Sequence, residues 1–197
     1  MKEVRLGLFM VVTVIMLTFT SAIVSAATAS TTISSIISPV ISLFTTSGTV
    51  NVDVVPTGSG AQTIASDTVT VSTNDSSGYT LQLAETGAGS TMVSGSDTIP
   101  ASAGTQGSPI AMSANTWGYR VDGLGGFGAG PTSGQSSASI GSIKFAAVPA
   151  TGSPNTIRTT SGTASNQTTT VWYGVAADTS QPSGTYTNSV TYTATAN

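Results

Sequence analysis

From residue 50 onward, apolar and polar residues alternate with a period of two. Gly, Pro, Asn and Ser interrupt the alternation at short intervals. Val50, Val52 and Val54 alternate with Asn51 and Asp53 up to Val55-Pro56, which predicts a half-buried strand. Thr68 to Ser72 repeats the pattern around Val69 and Val71. Asn74-Asp75-Ser76-Ser77-Gly78 is a turn cluster, and Tyr79, Leu81 and Leu83 then share one face. The two runs with the turn between them read as a β-hairpin or meander. Further strands are expected at Trp117 to Val121, Ile140 to Val148 (Ile143 and Phe145 inward), Thr169 to Ala176 and Tyr186 to Ala194. The Gly/Ser/Pro-rich stretches 86–109, 123–134 and 151–167 read as loops.

Seven to nine short strands with no helix after residue 26 predict an all-β fold. The expected architecture is an antiparallel β-sandwich with Greek-key connections of immunoglobulin-like or pilin-like type. Residues 1–26 fall outside it. Lys2 and Arg5 precede an almost wholly apolar run from Leu6 to Val24, and Val24-Ser25-Ala26 offers small residues for cleavage. That is the pattern of a secretory signal peptide, with the helical character of such segments. Left uncut, the run is long enough to anchor the chain in a bilayer. A leader ending at Gly7 would instead resemble a prepilin, although Val12 stands where prepilins carry Glu. Each reading places the remainder outside the cytoplasm, secreted or on the cell surface. The expected division is a signal peptide over 1–26, an apolar N-terminal strand segment over 27–48 and a β-sandwich over 49–197.

The segment 27–48 carries Ile33, Ile36, Ile37, Val40, Ile41, Leu43 and Phe44 around Pro39. It reads either as the first strand of its own sandwich or as an assembly strand that completes a neighbour by β-augmentation.

Composition narrows the function. Only 7% of residues are charged, against about 25% in ordinary soluble domains. Beyond residue 26, three cations (Arg120, Lys144, Arg158) face seven acids, a net charge of −4. So few cations cannot neutralise a phosphate backbone, which excludes nucleic acid as a partner. The chain has no Cys and no His. Disulfides, thiol nucleophiles, Cys-ligated zinc and a Ser-His-Asp triad are therefore excluded. Lys144 reads as a solvated strand residue. Asp75, Asp122 and Asp178 read as turn formers, and the Asn74 to Gly78 turn could offer Ca²⁺ only one full carboxylate. No cofactor, metal site or catalytic residue is expected.

Trp117, Tyr119 and Trp172 read first as core residues. An exposed indole, by contrast, would stack on sugar rings. Phe127, in a Gly-rich loop, is the aromatic expected at the surface. Asn74-Asp75-Ser76 and Asn166-Gln167-Thr168 fit the N-glycan acceptor pattern.

Val71-Ser72-Thr73-Asn74 with Gly78-Tyr79-Thr80-Leu81, Trp117-Gly118-Tyr119, Val171-Trp172-Tyr173-Gly174-Val175 and the stretch Pro182 to Thr193 together carry a resemblance. Over about Thr46 to Asn197, the chain resembles an uncharacterised family of secreted bacterial surface proteins associated with ultra-small bacteria that live on other cells. The closing strand alone is also similar to the last strand of fimbrial and spore-coat-type β-sandwich subunits, which carry a disulfide that this chain lacks. The resemblance implies a secreted β-sandwich and no known activity. The expected function is that of a non-catalytic envelope, filament or fimbria-like structural protein. Its partners would be copies of itself or other surface subunits, and its membrane contact would come only through an uncleaved N-terminus. The alternative is a host-attachment adhesin or carbohydrate-binding module contacting host-cell glycans through Trp117, Tyr119, Phe127 or Trp172.

Overall fold

In a computed structural model of the chain, residues 26–87 and 89–197 are described, and the signal-peptide reading lies outside them except at Ala26. The chain divides into two units, Met1–Ile36 and Ile37–Asn197. The described part of the first unit is exposed chain without regular secondary structure.

The second unit is an all-β antiparallel sandwich. Its strands are β1 (Ile41–Thr45), β2 (Ala61–Thr73), β3 (Tyr79–Glu85), β4 (Met92–Ser94), β5 (Asp97–Ile99), β6 (Ile110–Ala111), β7 (Thr116–Val121), β8 (Gln135–Ser139), β9 (Lys144–Phe145), β10 (Asn155–Thr159), β11 (Ala164–Ala177) and β12 (Val190–Ala196). One sheet runs β1-β2-β11-β7, with β8 added to the far end of β2, and the other runs β10-β3-β12. The connections β2 to β3, β10 to β11 and β11 to β12 each pass from one sheet to the other, in Greek-key fashion.

Alternation explains the core. Val69 and Val71 on β2, Tyr119 and Val121 on β7, and Val171, Tyr173 and Val175 on β11 all point inward. They meet Tyr79, Leu81 and Leu83 on β3 and Ile157 on β10. A second, smaller cluster packs Ile64, Met112, Phe145, Trp172 and Ala176 on the opposite face of the first sheet. The central strands are thus covered on both faces. This is why β2 starts at Ala61, well before its alternating part, whereas the mostly exposed Ala164–Thr168 start of β11 is held by pairing with β2.

Several expectations are corrected. β2 and β3 do not form a hairpin, because the turn between them carries the chain into the other sheet. Residues 50–55 keep the alternating burial but form no ladder. β8 occupies the edge of β2 from Ala61 to Ile64, and Val55 N–H donates instead to Ser137 Oγ at 2.8 Å. The strand expected over 140–148 is only β9. The loop expected over 151–167 holds β10 and the start of β11, and the excursion 86–109 contains the β4–β5 hairpin. That excursion also seals the outer edge of β7. Trp117 N–H donates to Pro100 O, and Ser102 N–H donates to Trp117 O.

Candidate assembly surface

β1 pairs with β2 in the register Ile41↔Thr73 to Thr45↔Val69. Ile41 and Leu43 lean on the core, whereas Phe44 points out and is exposed. The pairing is completed by Asn74, whose Oδ1 accepts the Val40 N–H at 2.7 Å and whose Nδ2 donates to Ser38 O at 3.1 Å. Thr73 Oγ1 donates to Val40 O at 2.9 Å. β1 thus begins from a fixed point beside the 74–78 turn. In that turn, Asp75 Oδ1 accepts the Ser77 N–H at 2.8 Å, and Gly78 has φ +88°.

Before that point the apolar side chains are uncovered. Ile33, Ile36, Ile37 and Val40 are 91, 91, 82 and 65% exposed. No charged residue lies between them. Of the seven residues expected to form an assembly strand, two, Ile41 and Leu43, are half-buried in the chain's own sandwich. The remaining five are exposed.

The four candidate ligand-contact aromatics are all buried. Trp117 Nε1 donates to Ser90 O at 2.7 Å. Tyr119 donates through its hydroxyl to Gln106 Oε1 and accepts from Asn155 Nδ2, both at 2.8 Å. Burial pushes its pKa up to about 12, offset in part by the Asn155 bond. Phe127, expected at the surface, is 3% exposed. Its ring meets Tyr119 edge-on with centroids 5.7 Å apart. The correction has a physical cause in Arg120. That guanidinium is buried, pairs with Asp122 Oδ1 at 3.1 Å and donates to the carbonyls of Phe127 and Gly128. The Gly-rich loop is thereby folded back over the core. Asp122 Oδ2 also accepts the Trp172 Nε1–H at 3.1 Å, so one carboxylate ties Arg120 and Trp172 together.

Other polar groups serve the fold. Tyr173 and Tyr192 meet hydroxyl to hydroxyl at 2.6 Å across the two sheets. Burial raises both pKa values. Asp178 is half-buried, and the Ser180 hydroxyl, the Ser180 N–H and Asn115 hold its carboxyl below the usual range. Lys144 is exposed on β9. Glu85 is buried and its Oε1 has no hydrogen-bond partner. Desolvation raises its pKa. It borders a cavity of about 140 Å³ lined also by Thr86, Thr151 and Thr191. A wider, open groove of about 470 Å³ runs between β10 and the Thr168–Thr170 part of β11. Arg158 spans it, donating to Thr168 O at 2.7 Å.

Among the described residues, no group of three or more Asp, Glu, His or Cys could hold a metal ion, and no helix is long and apolar enough to cross a membrane. Sequence reasoning singled out the exposed isoleucines. It missed Asn74, which it placed in a turn and a glycan acceptor pattern. A polar amide opposite a strand that starts at Pro39 was the available signal. No protein-family model, curated protein or solved structure matches the chain.

Proposed function

We propose that this chain is a non-catalytic structural subunit of an extracellular surface assembly, acting through contacts with copies of itself or with other surface proteins. The observation that supports this reading is the run Ile33, Ile36, Ile37 and Val40, uncovered by the chain's own fold. Large apolar side chains grouped at the surface mark contact sites, because water contact with them is unfavourable and a partner removes it. The export signal read at residues 1–26 and the lack of His and Cys point the same way.

The test is light scattering on the secreted chain and on an Ile33→Asp/Ile36→Asp/Ile37→Asp variant. These positions are exposed, so the substitutions leave the sandwich core untouched. Wild-type assembly with a monomeric variant supports the reading. Equal, monomeric behaviour of both overturns it.

A further inference from the structure

We propose that β1 is an exchangeable strand: in the assembly, the β1 of a second copy occupies the same register on β2 that the chain's own β1 fills in the monomer. This rests on the assembly reading above and adds the acceptor surface, the Val69–Thr73 edge of β2.

The structure places all the requirements at one site. β1 is the first strand of the sandwich, so moving it drags no other strand with it. None of its five residues is fully buried, and Ile41 and Leu43 are only half-covered. It contains no charge and no Pro, the devices that keep an edge strand from pairing with another chain. The Thr46–Thr49 connection after it is exposed. Thr46 and Ser47 are bonded to Thr68 O and Asp67 Oδ1 and would travel with β1, which leaves Gly48, with nothing within 4 Å of a side chain built there, as the point of reorientation. An identical strand from a copy would remake every contact that β1 makes at home: the Ile41↔Thr73 to Thr45↔Val69 ladder, the Asn74 bonds to Val40 and Ser38, and the packing of Leu43. The swap therefore costs little beyond the ordering of two chains.

The spacing of the preceding tail favours exchange over simple addition of the tail to a sheet edge. In an extended chain, Ile33 and Ile37 point to one side, and Ile36 and Val40 point to the other. A strand added at an edge wants one apolar face. A tail that is apolar on both sides suits the space between two copies, where an exchanged β1 would carry it.

Ser42 and Ser72 are direct partners in the β1–β2 register, close enough for a disulfide, and the chain has no Cys of its own. The test mixes two full-length secreted chains, one Ser42→Cys and the other Ser72→Cys with an isotope label. The mixture is oxidised after assembly, and linked peptides are read by mass spectrometry. Exchange predicts a 42–72 linkage between labelled and unlabelled chains. It also predicts loss of assembly in a Ser42→Cys/Ser72→Cys double variant oxidised as a monomer. Assembly with no inter-chain 42–72 linkage, undiminished in the locked double variant, overturns exchange and leaves the assembly reading standing. A wild-type chain that stays monomeric at every concentration overturns both.

Discussion

Asn74 acts as a substitute peptide group for Val40. Its Oδ1 accepts the Val40 N–H at 2.7 Å while its Nδ2 reaches the Ser38 carbonyl at 3.1 Å, so the side chain carries the pairing past Ile41 as far as Ser38. The same two bonds fix the point where the exposed apolar tail leaves the sandwich.

Asn74→Ala removes both bonds at an exposed site, where each contributes roughly 0.5–1.5 kcal/mol. The loss is local, because β1 is an edge strand. Amide exchange at Val40 and Ser42, whose N–H groups face β2, should quicken about tenfold, as expected for a loss of about 1.4 kcal/mol, while amides of β11 barely change. Asn74→Asp keeps the acceptor and loses the donor, and should fall between. Equal protection of β1 in wild type and Asn74→Ala would show that the ladder alone holds the strand.

Glu85 gives the fold a pH dependence of defined sign. Its carboxyl is buried with an unpartnered oxygen, and desolvation raises its pKa in the folded state above the unfolded value. That unfolded value lies near 4.3. The protonated form is therefore favoured by folding. The stability that it contributes is present below the unfolded pKa and is lost as pH rises through the folded one. Glu85→Gln keeps the shape and removes the titration. The variant should match wild type near pH 4 and exceed its melting temperature increasingly toward pH 7. A constant difference at all pH values would mean that Glu85 gains a partner or water in solution.

Phe127 separates the sequence expectation from the structure. A surface aromatic in a Gly-rich loop would tolerate Phe127→Ala within about 0.5 kcal/mol. A ring that is 3% exposed and packed edge-on against Tyr119 should cost on the order of 3 kcal/mol. Urea unfolding followed by Trp fluorescence measures the difference directly.

The contrast shows what was legible. Strands with one apolar and one polar face, such as those holding Leu81 and Leu83 or Tyr173 and Val175, announce themselves by alternation. β10, with Ile157 as its single apolar residue, and the Thr-rich start of β11 do not, because polar residues fill nearly every position and the pairing with β3 and β2 decides their state. Phe127 was misplaced for a related reason. Its burial depends on Arg120, seven residues earlier, reaching its carbonyl at 3.2 Å, and no local pattern records such a tether. The exposed isoleucines were visible as an apolar run, but their lack of cover was not. Strand pairing ends at Ile41, and only the fold shows where.

Gly174 tests the second core cluster. It lies in the middle of β11, where glycine ordinarily weakens a strand. A side-chain carbon placed there would come within 2.8 Å of both Met112 Sδ and the Phe145 ring. The absence of a side chain lets Met112 and Phe145 close over the sheet beside Trp172. Gly174→Ala must push those groups outward, an overpacking that costs roughly 1–3 kcal/mol. The flexible thioether can yield more readily than the ring. Met112→Ala should therefore relieve part of the strain, and the double variant should be more stable than the sum of the two single losses predicts. Thermal unfolding of the four proteins in this cycle gives the coupling. Strict additivity would mean that the Gly174 contact is relieved by movement of the backbone, and that Met112 does not press on the sheet in solution.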